Sequence, residues 1–90
     1  MQKAGGGKIV NISSVGVKFG GSPRTLHYSA AKAALEGVTL GLAKAGAAHH
    51  ILVNVIRPGV IETPFHGIKS RQEWEARVQQ IPLKRPGTPL

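Results

Sequence analysis

Tyr28 and Lys32 are the residues whose types and spacing point most directly to chemistry. On a helix they stand one turn apart and share a face, with Cβ atoms about 5–6 Å apart. A free phenol has a pKa of about 10 and is a poor base at neutral pH. A nearby ammonium favours the phenolate, and moving the pKa by about 3 units takes about 4 kcal/mol of differential stabilisation. One ammonium in a partly dry site is of that order. A phenol tuned in this way can take a proton from an alcohol or return one to a carbonyl. Alone, the pair is a weak signal, because most Tyr-x-x-x-Lys pairs are neighbours on a helix surface.

The elements that must position this pair follow from the local pattern. Gly5-Gly6-Gly7 breaks the chain, and Lys8-Ile9-Val10-Asn11-Ile12 reads as a short buried strand. Ser13 to Ser22 is rich in Ser and Gly and reads as a loop. Ser22-Pro23 can open a helix, with Ser as the cap and Pro at the first position. Residues from about Thr25 to Ala47 are mostly good helix formers. Ile51-Leu52-Val53-Asn54-Val55-Ile56 is a second buried strand, ended by Arg57-Pro58-Gly59. Strand, helix and strand at this spacing make a right-handed parallel βαβ unit. Parallel α/β sheets hold their ligands at the carboxyl ends of the strands. That places Ser13-Ser14, the stretch Pro58-Gly59-Val60-Ile61-Glu62-Thr63 and the start of the Tyr28 helix at one edge.

The helix carries two stripes. Ala31, Leu35, Val38 and Leu42 recur at helical spacing and are expected to pack on the sheet. Ala30, Ala34, Gly37 and Gly41 form a small-residue stripe that suits close approach of another helix, including one across a subunit interface. Further on, Ser70-Arg71-Gln72-Glu73 matches a capping box, and Trp74, Val78 and Ile81 give a short amphipathic helix that Pro82 ends. Arg85-Pro86-Gly87-Thr88-Pro89 is a turn cluster.

Composition excludes several function classes. Ninety residues allow one domain at most, able to bury about 63% of its unfolded surface. There is no Cys, so disulfides, zinc knuckles, iron–sulfur ligation and thiol nucleophiles are ruled out. No apolar run approaches the roughly 20 residues a membrane span needs, and no signal peptide is visible. A cytoplasmic chain with no membrane partner is the expectation. The net charge of +8 comes from 12 Lys+Arg against Glu36, Glu62, Glu73 and Glu75. These cations are spread out and have few aromatics among them, so no nucleic-acid partner is expected. The basic excess suits a phosphate-bearing ligand or a solvated surface.

Four stretches, in order, carry a family resemblance. They are Gly7-Lys8-Ile9-Val10-Asn11-Ile12-Ser13-Ser14, Tyr28-Ser29-Ala30-Ala31-Lys32-Ala33-Ala34-Leu35, Val53-Asn54-Val55-Ile56-Arg57-Pro58-Gly59-Val60-Ile61-Glu62-Thr63, and Ile81-Pro82-Leu83 with Gly87-Thr88-Pro89. Over nearly its whole length the chain resembles the middle and late portion of the short-chain dehydrogenase/reductase family. The resemblance implies hydride transfer between NAD or NADP and a carbonyl or alcohol substrate. Tyr28 would be the general acid/base. Lys32 would lower its pKa and hydrogen-bond the cofactor ribose, and Ser14 would hold the substrate oxygen. Ile61, through its backbone, and Thr63, through its side chain, would hold the nicotinamide carboxamide, with Pro58-Gly59 passing close under the ring. Residues 8–63 would be the catalytic segment and 64–83 the lid region, Phe65 to Ile81 moving over the substrate with Trp74 a pocket wall. The implied fold is a partial Rossmann-like, doubly wound parallel α/β sheet, with residues 1–90 one partial domain and the intact enzyme a homo-oligomer.

The family's glycine-rich pyrophosphate turn, its Asn-Asn-Ala-Gly element and its relay Asn have no counterpart here; Asn11 and Asn54 sit inside strands. Met1-Gln2-Lys3-Ala4 resembles the end of a preceding helix. A fragment is therefore expected, and strands this apolar need cover on both faces, so the isolated chain is expected to be poorly stable or to self-associate. Ser14, Glu62 and His66 follow the chain order of α/β-hydrolase triads, but Ile12 stands where the nucleophile elbow needs Gly. His27, His49, His50 and His66 lack a carboxylate or Cys set, so no metal site is expected. The competing reading is an inactive remnant that keeps only fold and oligomerisation elements.

Overall fold

The computed structural model describes residues 1–62 and 71–90. They belong to two compact units, Met1–Pro58 and Gly59–Leu90. In the first unit a single 3-10 turn, Gln2–Ala4, stops at Gly5, whose left-handed backbone (φ 86°) no longer follows the turn. Gly6 follows at φ 146°, and a Cβ there would lie 2.6 Å from the His50 carbonyl oxygen. Only glycine fits that approach.

Strand β1 spans Gly7–Ile12 and strand β2 Ile51–Ile56. They pair in parallel, from Gly7↔Ile51 to Ile12↔Ile56. Between them, α1 is a short helix, Gly16–Phe19, inside the Ser/Gly-rich segment expected to be loop. Pro23–Thr25 forms a 3-10 turn, in which the Ser22 N–H donates to the Thr25 hydroxyl at 2.9 Å. Helix α2 then runs Leu26–Ala47. The crossover connecting the strands is therefore helical, as the spacing predicts.

Both strands alternate strictly. Ile9, Asn11, Ile51, Val53 and Val55 turn inward, while Val10, Ile12, Leu52 and Ile56 are all at least half exposed. One helix covers one face, which leaves the other open. The core is thin: among the described residues Val53, 8% exposed, is the one large apolar side chain that is buried.

The inward face of α2 differs from the apolar stripe expected. Thr39 and Gly46 are its buried residues, whereas Ala31 and Val38 point outward. Leu35 is half-buried, and Leu42 borders an apolar hollow with Ile9, Ile51 and Val53. The rotation has a polar cause. The Asn11 amide donates to the Thr39 hydroxyl at 2.9 Å, and that hydroxyl donates to the Leu35 carbonyl at 2.8 Å. A partly buried amide on the inner face favours a partner, and Thr39 faces the sheet while its apolar neighbours turn away.

Gly46 sits where α2 turns into β2, and a Cβ there would lie 2.9 Å from Ile51 Cβ and 3.0 Å from its carbonyl oxygen. Gly37 and Gly41 meet nothing within 4 Å. Among the described residues, then, nothing offsets the helix cost of the last two. In the second unit, α3 spans Arg71–Gln79, with Trp74, Val78 and the following Ile81 half-buried and the rest of the helix exposed. This is the amphipathic face expected; its Ser70 cap lies outside the described residues.

Gly41→Ala is expected to stabilise the chain by up to about 1 kcal/mol. Gly46→Ala is expected to destabilise it by about 1 kcal/mol or more, the crowding at Ile51 outweighing the helix gain. Chemical denaturation reads both. A destabilised Gly41→Ala variant would show that a second helix packs on the stripe.

Candidate active site

The two strands end side by side, and their pairing continues past the last rung. The Ser13 N–H donates to the Ile56 carbonyl at 2.7 Å and the Val15 N–H to the Pro58 carbonyl at 3.1 Å. Ser13-Ser14 and Arg57-Pro58 therefore leave the sheet together. Ser14 turns the chain into α1, its hydroxyl accepting the Gly16 N–H at 3.1 Å.

The N-terminal half of α2 lies along this edge. Tyr28 and Lys32 are both half-buried. The Lys32 ammonium donates to the Ile12 carbonyl at 2.8 Å and lies 5.7 Å from the centroid of the Tyr28 ring. That is within the range in which a cation and an aromatic ring attract. The pair is thus brought together at the carboxyl end of β1.

One turn further on, Glu36 is held by a fork. Arg57 Nε donates to its Oε2 at 2.9 Å and Arg57 Nη2 to its Oε1 at 2.6 Å. The Ser13 hydroxyl, on a residue only 3% exposed, donates to Oε2 at 2.5 Å. The Arg57 guanidinium and then the Ser13 hydroxyl hold the Glu36 carboxyl at about 2, against an ordinary 4.5. Glu36 in turn raises the pKa of Arg57. Sequence reasoning missed this cluster. The available signal was that Glu36 is the one acidic residue in the first 58 and sits one turn beyond Lys32 on the same stripe.

Of the other sequence-derived site residues, Ser14 and Pro58 lie in the first unit and Gly59 and Ile61 in the second. Thr63 lies outside the described residues, as do Phe65 and His66. In the second unit Ile61 bridges Gly87, through a Gly87 N–H bond to Val60 at 2.8 Å and a Glu62 N–H bond to Gly87 at 2.9 Å. The bridge uses the neighbours of Ile61, so its own N–H and carbonyl are directed away from Gly87. A Cβ at Gly87 would lie 2.7 Å from the Ile61 side chain, which accounts for a glycine there.

A parallel strand pair with a Tyr–Lys helix at its carboxyl edge is the frame of the short-chain dehydrogenases/reductases, and the comparisons agree. The chain belongs to this family: all of it, residues 1–90, matches the family model described as Enoyl-(Acyl carrier protein) reductase. It is 46% identical over 83 residues to the 3-oxoacyl-[acyl-carrier-protein] reductase FabG of Aquifex aeolicus, covering 92% of this chain and 33% of that protein. It is 48% identical over 85 residues to carbonyl reductase family member 4 of Danio rerio, covering 93% and 34%. A crystal structure from Sinorhizobium meliloti 1021, provisionally assigned as a short-chain alcohol dehydrogenase, superposes with a TM-score of 0.84 at 39% identity. It covers 97% of this chain and 35% of that one. The fold is accordingly a piece of a Rossmann-like sheet, and the chain spans about a third of the length of these relatives.

The Glu36 clamp gives a pH expectation. Its folded pKa is depressed, so its contribution to stability is complete above about 4.5 and disappears as pH falls toward about 2. Circular dichroism across that window should show the loss in the wild type, with Glu36→Gln lacking this component and less stable at neutral pH.

Proposed function

We propose that the chain carries the catalytic segment of an NAD(P)-dependent oxidoreductase acting on a carbonyl or alcohol. The observation that carries this reading is the Lys32 ammonium, anchored on the Ile12 carbonyl, 5.7 Å from the Tyr28 ring. An ammonium so placed sets a positive charge and hydrogen-bond donors beside the phenol. Tyr28 then delivers a proton to the substrate oxygen in reduction and removes one in oxidation. The Ser14 hydroxyl orients that oxygen.

Lys32 uses one N–H on Ile12, and an ammonium has three. Two donors therefore remain for the ribose hydroxyls of a bound cofactor, which fits NAD or NADP. Pro58, Gly59, Ile61 and Thr63 would hold its carboxamide end. When bound, the nicotinamide supplies or receives the hydride. Residues 8–63 form the catalytic segment in this reading and 64–83 the lid region, in a cytoplasmic homo-oligomer. The names of the relatives make a 3-oxoacyl group the first substrate to test.

The competing reading is an inactive remnant that keeps only fold and oligomerisation elements. Nicotinamide absorbance assays with both cofactors, over 3-oxoacyl thioesters and simple ketones, separate the two. The catalytic reading expects turnover that Tyr28→Phe abolishes and that Lys32→Met and Ser14→Ala lower by about 100-fold or more. No turnover with any pair, from a chain shown to be folded, would establish the remnant.

A further inference from the structure

Glu36 continues the α2 face that carries Tyr28 and Lys32. Its side chain is only 15% exposed, unlike that of an ordinary surface ion pair. Three donors from two other elements converge on it: the Ser13 hydroxyl after β1, and two nitrogens of Arg57 after β2. The Ser13 hydroxyl also lies 3.5 Å from the Lys32 main-chain carbonyl. One hydroxyl thus touches the backbone of the lysine and the carboxylate one turn on.

A lysine cannot supply this precision by itself. Its ammonium is a point charge on a flexible four-carbon stem, and a single bond to the Ile12 carbonyl leaves its direction open. A planar guanidinium–carboxylate fork, by contrast, fixes angle as well as distance. We infer that Glu36 is a positioning residue for Lys32: clamped by Ser13 and Arg57, it sets the rotation of α2 at the strand ends and so holds the ammonium beside Tyr28. This rests on the Tyr28–Lys32 reading above.

Tyr28 is the chain's one tyrosine, so the rise of phenolate absorbance with pH reports on it directly, without turnover. Glu36 lies two turns from Tyr28, about 12 Å along the helix. That exceeds the screening length of about 10 Å at 0.1 M salt. Simple removal of its negative charge would move the phenolate rise slightly to lower pH, and freeing Arg57 acts in the same direction. A lysine released from its place moves the rise to higher pH, so the two effects have opposite signs.

The test titrates the full chain as wild type, Lys32→Met, Glu36→Ala and Ser13→Ala, with circular dichroism to confirm helix content. The expected result is an upward shift for Glu36→Ala, a smaller upward shift for the charge-neutral Ser13→Ala, and the largest for Lys32→Met. A rise that stays put or moves down in both Glu36→Ala and Ser13→Ala, while Lys32→Met moves it up, overturns the inference and leaves the Tyr28–Lys32 reading standing. An unmoved Lys32→Met removes both. Should Glu36→Ala unfold, Ser13→Ala decides alone.

Discussion

The structure of the first unit depends on holding one helix at a fixed rotation against the ends of two strands. Apolar packing cannot do this here. Hydrophobic attraction has no direction, and with Val53 the one buried large apolar side chain among the described residues there is little shape to lock. Directional bonds take over that task. The Asn11–Thr39 bond fixes the middle of the helix, the Lys32–Ile12 bond its early turns, and the Glu36 clamp the turn between them. All three run between α2 and the strands or the segments directly after them. The edge proposed for catalysis is thus also where the unit's geometry is defined.

This arrangement explains what was legible in the sequence. Strands and helix were legible because their signals are local: β-branched runs, helix formers, a Ser-Pro start. The Tyr28–Lys32 pair was legible because helical spacing alone places the two on one face. The rotation of α2 was not. Hydrophobic periodicity assigns Ala31 and Val38 to the core, but an amide inside β1 requires a hydroxyl opposite it, and Thr39 turned inward instead. The contact of Glu36 with Arg57 joins residues 21 positions apart, and no local pattern encodes it. The short helix Gly16–Phe19 escaped for another reason: Ser and Gly are poor helix formers, and the Ser14 hydroxyl bond to Gly16 that starts the turn is visible only in three dimensions.

The strand residues are almost all apolar, a pattern that reads as burial on both sides. The inner face is met by α2, while Val10, Ile12, Leu52 and Ile56 remain at least half exposed. Parallel sheets are ordinarily covered on both faces, and strands of this composition suit such a sheet. The apolar residues on the open face therefore exceed what packing against α2 alone requires.

The parallel ladder has a consequence for how the unit assembles. Its first rung joins Gly7 to Ile51 and its last Ile12 to Ile56, so every rung spans the same stretch of chain. No rung lies nearer in sequence than another, and the ladder cannot zip outward from a turn as a hairpin does. Its closure entropy is met all at once, with α2 as the rigid spacer between the strands. Damage to that helix would therefore cost the sheet its assembly route as well as the site its tyrosine.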